Sequence, residues 1–373
     1  MNGWSTHAVV EALHGKRLSY PRAVRRKRVE PRMMVGTVAA SRAEEKTLRV
    51  AAVVVTRNRR VLLEECLEAV AGQTQALERI IVIDNDSTDD TANYLRTLRD
   101  PVYQIVRLNE NTGGAGGFAH GIRLAAQFPV DLIWIMDDDC IPNADALAEL
   151  VDAAGELDAA SFDYSFLCSR VVDLAGVACN HPVPSGTKNQ SGWPRWADLA
   201  DRGYLLVDEC TFVSVALSAN HVRRAGLPFR QMFIWGDDTE YTRRLSTQAP
   251  GVFVGSSHVL HKRLLAGELC VHTEEAPGRL PFYRHHYRNR MYLYRHYFPR
   301  RRYLALLLEI MWDFLRLLGR GRLRRALLVG RGFTEGLFFR PPVEPVGAAP
   351  SPADQPTGAL GESRSSSEFV EPR

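Results

Sequence analysis

The chain has 373 residues, 45% hydrophobic and 24% charged, with a formal net charge of +4. That is enough apolar material for one large or two medium domains with a sizeable core. Six cysteines, at positions 66, 140, 168, 179, 210 and 270, form no CxxC pair and no metal-finger spacing, so they read as reduced, mostly buried thiols of a cytoplasmic protein. The N-terminus has no apolar run followed by a cleavage site, and no secretory signal is expected.

Residues 1–48 carry Lys16, Arg17, Arg22, Arg25, Arg26, Lys27, Arg28 and Arg32. They are expected to form a poorly ordered basic arm, either touching anionic lipid or keeping the protein soluble. Residues 50–55 are a continuous apolar run, read as a first buried strand. Leu63, Cys66, Leu67 and Val70 follow at helical spacing. A second strand is expected over 79–83, ending at Asp84, and Ser87 or Thr88 can cap a helix burying Ala92, Leu95 and Leu98. A third strand is expected over 102–106, then a helix opening at Gly113–Gly117 and running through Leu124. Residues 132–136 read as a fourth buried strand, and Asn143 can cap a helix carrying Leu147, Leu150 and Val151. Repeated strand–helix units imply an α/β fold with a doubly wound, mainly parallel sheet.

The second half is less regular. Strands are expected over 166–172, 211–217 and 251–255, with a loop over 180–203 anchored by Trp193, Trp196 and Tyr204. Residues 281–340 read as helical and Arg-rich. Residues 341–373, rich in Pro, Ser, Gly and Ala, read as a disordered tail.

The motifs of the first half fall at strand ends, where open α/β sheets place ligands. Asp137, Asp138 and Asp139 follow the fourth strand. Asp137 and Asp139 are two apart and would point to one side of an extended segment. Three carboxylates beside a core strand repel and resist ionisation, which a divalent cation relieves. Oxygen ligands suit Mg²⁺ or Mn²⁺, ions that also hold substrate phosphates. The plainer alternative is a solvated acidic turn. Thr56-Arg57-Asn58-Arg59 follows the first strand, Asp84-Asn85-Asp86 the second, and Asn111-Thr112-Gly113-Gly114-Ala115-Gly116-Gly117 the third. An Asp there can accept from a uracil ring or a ribose hydroxyl, or simply cap a helix. The glycines can admit a ligand to backbone N–H groups, or serve tight helix–sheet packing. They match neither the P-loop nor the dinucleotide fingerprint.

Phe233-Ile234-Trp235-Gly236-Asp237-Asp238-Thr239-Glu240-Tyr241 is a second acidic centre. One of its carboxylates can take a proton from an incoming hydroxyl. Trp235 offers a flat face to a sugar, and Arg243 and Arg244 can neutralise nearby acids. His261 can ligate a metal as a neutral imidazole, with His258 as a rival.

Together these motifs, with Tyr287-Arg288-Asn289-Arg290, resemble family 2 of the inverting glycosyltransferases, which have a GT-A fold. The resemblance covers about residues 48–300. It is nearest to the actinobacterial galactofuranosyltransferases of cell-wall galactan, especially the shorter initiating type, and related rhamnosyltransferases share parts of the pattern. The resemblance implies a GT-A domain over 49–280. It implies Asp137, Asp139 and His261 as ligands of Mg²⁺ or Mn²⁺, and Thr56, Arg57, Asp84, Asn85, Asn111, Gly113, Gly114 and Asp138 around the donor. Asp238 would be the general base, with Asp237 as competitor, and Trp235, Arg288 and Arg290 would meet the acceptor. The donor would be a sugar nucleotide, UDP-galactofuranose or alternatively dTDP-rhamnose. The acceptor would be a polyprenyl-linked glycan at the cytoplasmic face of the membrane. A non-catalytic sugar-nucleotide-binding subunit would lack a base or metal ligand, and candidates for each are present. Central acidic clusters and the lack of a recognised motif argue against nucleic acid as partner.

Residues 303–318 are apolar except for Glu309, Asp313 and Arg316, which share one helical face. The run is too short and too charged to span a membrane. It reads either as a core helix or as an amphipathic helix on an anionic surface, given Arg320, Arg322, Arg324, Arg325 and Arg331 after it.

Overall fold

The computed structural model describes residues 47–262 and 269–348. The expected basic arm, apart from its last two residues, and the expected tail beyond 348 lie outside the described residues. The first half follows the strand–helix reading. Strands β1 (Val50–Thr56), β2 (Arg79–Asp84), β3 (Tyr103–Arg107) and β4 (Leu132–Asp137) alternate with helices α1 (Arg60–Ala71), α2 (Thr91–Leu95) and α3 (Gly113–Ala125). β3, β2, β1 and β4 lie side by side and pair in parallel. The register sets Thr56 opposite Asp84 and Val55 opposite Asp137. Three motif residues are thereby carried to the carboxyl edge of one sheet.

The strands are apolar throughout because both faces are covered. Val50, Ala52 and Val54 point into a core shared with Leu63, Cys66, Leu67 and Val70 of α1. Ala51, Val53 and Val55 point into a second core with Phe118 and Ile122 of α3. The period of two along a strand divides one run between two cores.

The rest of the sheet mixes directions. Its strands are β5 (Cys140–Pro142), β6 (Phe166–Val172), β7 (Ala178–Cys179), β8 (Val183–Pro184), β9 (Tyr204–Glu209), β10 (Val213–Ser218) and β11 (Gly251–His261). β10 pairs antiparallel with β4 and β6, β11 pairs parallel with β6, and β5 pairs antiparallel with the end of β11. β11, expected to stop at 255, continues to His261 through a register shift between Val254 and His258. A bulge lets the strand leave one alignment and resume pairing in another. α4 (Ala146–Ala159) covers the first core, and α5 (Ala219–Ala225) and α6 (Asp237–Ser246) the second.

Several local expectations are corrected. Ser87 and Thr88 do not cap α2: Asp89 Oδ1 accepts from Thr91 N–H at 3.0 Å, and Ser87 Oγ accepts from Asn58 N–H. Asn143 contributes its backbone carbonyl, not its side chain, to the start of α4. Of the three expected loop anchors only Tyr204 is buried, and Trp193 and Trp196 are 71% and 41% exposed. Residues 341–348, assigned to the tail by composition, are fastened to the domain: Glu344 pairs with Arg123 at 2.7 Å and its carbonyl accepts from Leu227 N–H.

The C-terminal helices α7 (Tyr283–Tyr297), α8 (Arg300–Gly319) and α9 (Leu323–Phe338) share their own core of Tyr283, Tyr287, Met291, Leu306, Ile310, Leu317, Ala326 and Val329. The cysteines are free thiols, as expected.

Close packing of α3 on β1 generates a stability prediction. A Cβ at Gly121 would stand 2.3 Å from Val53 Cγ1, in the middle of the second core. Gly121→Ala is expected to lower stability by about 1–3 kcal/mol through overpacking. The check is a urea unfolding midpoint that falls while the slope is unchanged.

Candidate active site

The site begins with the acids after β4. Asp138 is buried; Thr56 Oγ1 donates to its Oδ2 at 2.7 Å and Arg59 Nη1 to its Oδ1 at 3.0 Å. The same Arg59 nitrogen reaches Asp139 Oδ2 at 2.9 Å. A half-exposed arginine thus shares its charge between two carboxylates, so they are not left for a cation alone to neutralise. Burial raises Asp138 to about 6, against the pull of Arg59 and Thr56. At Asp139 burial acts the same way, but His261, in its protonated form, and Arg59 together hold the group below the usual carboxylate range.

His261 arrives from the far side of the sheet. Antiparallel pairing of β5 with β11 sets His261 opposite Cys140, and Lys262 N–H donates to the Asp139 carbonyl at 2.8 Å. His261 Nε2 then lies 3.2 Å from Asp139 Oδ1. Its other ring nitrogen, Nδ1, is 3.0 Å from Asn180 Oδ1. Asn180 donates its amide nitrogen to Thr211 Oγ1 at 3.2 Å, which leaves its oxygen for the ring. An amide oxygen only accepts, so Nδ1 carries a proton and, in the neutral ring, Nε2 presents a lone pair. That lone pair faces a buried carboxylate oxygen that has no hydrogen-bond donor. Two electron-rich atoms aimed at one another, with the ring held from behind, fit a divalent cation.

Cys140 Sγ lies within 4.8 Å of the same ligand atoms. Burial and the neighbouring acids push its pKa well up, so without a metal it is a neutral thiol. Asp137, expected as a ligand, is not part of this group. Burial, then Asp139 and Asp138, raise its pKa far above the usual value, and Asp237 adds to the rise. Two acidic motifs from opposite halves of the chain therefore act on each other. His258 turns onto the carbonyl of Gly255 at 3.0 Å and takes no part.

Asp237 and Asp238 open α6 behind Gly236, which has φ +99. Burial and Asp238 raise Asp237 to about 8; burial raises Asp238 to about 6 although the Thr239 N–H donates to its Oδ1 at 2.7 Å. Arg243 and Arg244 do not neutralise this pair. Arg243 bonds Glu209 at 2.6 Å, and Arg244 grips Glu240 through two bonds of 3.0 and 2.9 Å.

At the other end of the cleft, Asp84 Oδ1 accepts from Ser87 N–H at 2.9 Å while Oδ2 is buried without a hydrogen-bond partner. Asn85 is fully engaged: its Nδ2 donates to Gly113 O at 2.8 Å and its Oδ1 accepts from Thr112 N–H at 2.9 Å. It is buried and positions the glycine loop. Asn111 Oδ1 accepts from Gly113 N–H at 3.0 Å. Gly113 has φ +72, and a Cβ there would stand 2.0 Å from the Phe233 carbonyl, so its smallness joins two loops. Gly114 faces open space and Arg57 is exposed.

The expected acceptor residues are corrected in part. Arg288 is buried, donates to the Gln231 and Met232 carbonyls at 2.6 and 3.1 Å, and lies over the Phe339 ring. Burial lowers its pKa to about 10. Arg290 forms a two-pronged pair with Glu309 at 2.9 and 3.0 Å. Both hold protein to protein. Trp235 is half-buried against Phe282, Tyr283 and His286, with Arg279 5.6 Å from its ring. Asn289, passed over in the sequence, donates to the carbonyls of Met232, Ile234 and Trp235 at 2.9–3.1 Å. Arg59 and Asn180 were likewise missed. Arg59 stands within a motif already singled out, and Asn180 carries no local signal.

Residues 51–184 match the family model described as Glycosyl transferase family 2. Over that stretch the chain is similar to family 2 glycosyltransferases. Among curated proteins, the galactofuranosyltransferase GlfT1 of Mycolicibacterium smegmatis is 32% identical over 200 residues, covering 52% of this chain and 65% of that protein. GlfT1 of Mycobacterium tuberculosis is 30% identical over 205 residues, covering 53% and 65%. The matched part thus spans just under two thirds of these relatives. Among solved structures, GalNAc-T7 with UDP, GalNAc and Mn²⁺ aligns with a TM-score of 0.47 at 16% identity, covering 65% of this chain and 49% of that one. S. aureus TarS 1–349 with UDP aligns at 0.46 and 13%, covering 70% of each. The stretch that matches family 2 holds Asp139 and Asn180, whereas Asp238 and His261 come from beyond residue 184.

The raised acids predict a pH dependence. Asp237 keeps its proton in the folded chain up to about pH 8 but loses it near 3.8 when unfolded. Between those values the unfolded state binds fewer protons, so this group's stabilising contribution is complete at low pH and is lost as pH rises through about 8. In chelator, wild type is expected to lose more thermal stability than Asp237→Asn between about pH 5 and about pH 8.5. Parallel melting curves for the two proteins would remove the assignment.

Proposed function

We propose that the chain is a metal-dependent inverting glycosyltransferase that moves a sugar, with galactofuranose from UDP-galactofuranose favoured, to a hydroxyl of a polyprenyl-linked cell-wall glycan. The reading is carried by the Asp139–His261 pair, 3.2 Å apart, at a sheet edge that also meets the acids of α6, with Asp139 inside the stretch that matches family 2 and His261 beyond it. The GlfT1 relatives support the donor. A rhamnosyltransferase using dTDP-rhamnose is the alternative on the same scaffold.

Asp139 and His261 would hold Mg²⁺ or Mn²⁺, with Asn180 fixing the imidazole from behind. The bound ion supplies positive charge beside a departing diphosphate, which then needs no proton from an acid. Asp84, whose buried Oδ2 has no hydrogen-bond donor and stands 3.9 Å from Arg107 Nε, takes the nucleoside, with Thr56, Arg57 and the Asn111–Gly114 segment beside it. Asp138 is spoken for by Thr56 and Arg59 and shapes this end without a free oxygen. Trp235 gives the acceptor an apolar face. Asp238 receives the acceptor hydroxyl proton on Oδ2, since Oδ1 is bonded to the Thr239 N–H. The oxygen attacks the anomeric carbon from the face opposite the diphosphate, the new C–O bond forming as the old one breaks, so configuration inverts. The acceptor's lipid places the reaction at the cytoplasmic face of a membrane, and no nucleic acid takes part.

Excess chelator is expected to abolish transfer, and Mg²⁺ or Mn²⁺ to restore it. Asp139→Ala should reduce turnover by about a hundredfold or more. Asn180→Ala should weaken Mn²⁺ binding to the protein alone by about 10–100-fold, read by calorimetry without substrate. Full activity in chelator would exclude the metal.

Asp238→Asn should bind nucleotide nearly as wild type while transfer falls by about a hundredfold or more. If Asp237→Asn is the inactive variant, the base is one residue earlier, and if both are active α6 supplies no base. A panel of sugar nucleotides offered with a lipid-linked acceptor, scored by product mass, identifies the donor.

A further inference from the structure

The helix over residues 300–319 is amphipathic the wrong way round for a core element. Its acids are paired with other helices or loops: Glu309, half-exposed, pairs with Arg290, while Asp313 accepts from Tyr287 Oη at 2.8 Å and stands 2.8 Å from His272 Nε2. Its inward apolar contact is limited to Leu306, Ile310 and Leu317, with Tyr303, Leu307 and Phe314 half-covered. Leu304, Leu308, Met311, Trp312, Leu315 and Leu318 are exposed, Leu308 by 74% and Trp312 by 65%. At 100° per residue these six form a single stripe. Leu323 and Leu327 on α9, both more than half exposed, continue it past the turn at Gly321. An apolar notch of about 150 Å³, lined by Ile310, Met311, Phe314, Val329 and Phe333, lies between the two helices beside the stripe.

An outward row of leucines with a tryptophan is too large to be the scattered exposure of an ordinary surface. Its ends are basic: Arg300 and Arg301 precede it, and Arg320 and Arg324 follow it, all exposed. Arg322, Arg325 and Arg331 are occupied. Arg322 and Arg325 donate to backbone carbonyls of the 271–274 segment, and Arg331 bonds Glu335. No helix among the described residues is long and apolar enough to cross a membrane.

We propose that the outward stripe of α8, continued by Leu323 and Leu327 of α9, lies in the headgroup region of an anionic bilayer. Apolar side chains and Trp312 would sit at the acyl boundary, and the four exposed arginines would meet lipid phosphates. Charge decides between a bilayer and a second copy of the chain. A self-complementary dimer on this stripe would gather arginines with no acid exposed on the stripe to pair them, whereas anionic lipid supplies the missing charge. The proposal does not depend on sugar transfer.

The test is co-sedimentation of the full chain with vesicles of phosphatidylglycerol and phosphatidylcholine, compared with phosphatidylcholine alone, at low and high salt. Wild type should pellet with the anionic vesicles at low salt and release as salt rises. Leu308→Glu combined with Trp312→Glu should lower partitioning by about tenfold or more, as should Arg320→Gln with Arg324→Gln. Melting curves establish that the variants fold. Brominated lipid should quench wild-type fluorescence more than that of Trp312→Phe. Wild type that ignores anionic vesicles at low salt overturns the proposal, as does unchanged pelleting of the folded Leu308/Trp312 variant. A wild-type dimer that this variant dissociates without loss of vesicle binding assigns the stripe to self-association instead.

Discussion

The pairing of the short strand Cys140–Pro142 with the end of Gly251–His261 is the constraint on which the site depends. It brings an imidazole from late in the chain to 3.2 Å from Asp139, at the carboxyl edge of a sheet already crowded with acids. A strand that ended at its bulge would leave those acids with Arg59 alone. Because side chains alternate along a strand, a slip of one residue would turn His261 to the other face. The hydrogen bond from Lys262 to the Asp139 carbonyl fastens the register at the residue where it matters.

Around that pairing the acids divide into two groups. Asp138 and Asp139 are compensated by Arg59 and Thr56, and Asp139 by His261 when that ring is protonated. Asp137 and Asp237 are buried among like charges and hold their protons more tightly than free carboxyls do. A protein selected for stability alone would pair such groups or remove them. They cluster at one end of a sheet, where the proposed cation and proton would arrive.

The C-terminal helices contribute to the site from behind. Asn289 and Arg288 bind the carbonyls of the 231–235 segment, and so fix the approach to Asp237 and Asp238. Arg290 of the same helix ties Glu309 on the next one, which buries Leu306, Ile310 and Leu317 and leaves Leu304, Leu308 and Trp312 outward. One short basic sequence therefore both supports the acidic loop and orients the exposed apolar stripe. The strap around Glu344 then returns to the α/β domain at Arg123 and Leu227.

By itself the sequence determined the parallel half of the sheet, both apolar cores, the helical C-terminal region and the acids at the strand ends. These follow from periodicity and from residues adjacent in the chain, which local patterning encodes directly. Tertiary structure alone decided who partners whom. It put Asn180 behind His261, gave Arg59 to two aspartates, left Asp137 out of the Asp139–Cys140–His261 cluster and committed Arg288 and Arg290 to protein contacts. It also showed that Gly113 is small for the sake of the Phe233 carbonyl, and that Trp193 and Trp196 are exposed where their bulk had suggested anchors. Each of these depends on the register and approach of segments far apart in sequence. Composition and spacing say what a side chain can do; the pairing of distant strands and helices fixes what stands within reach of it.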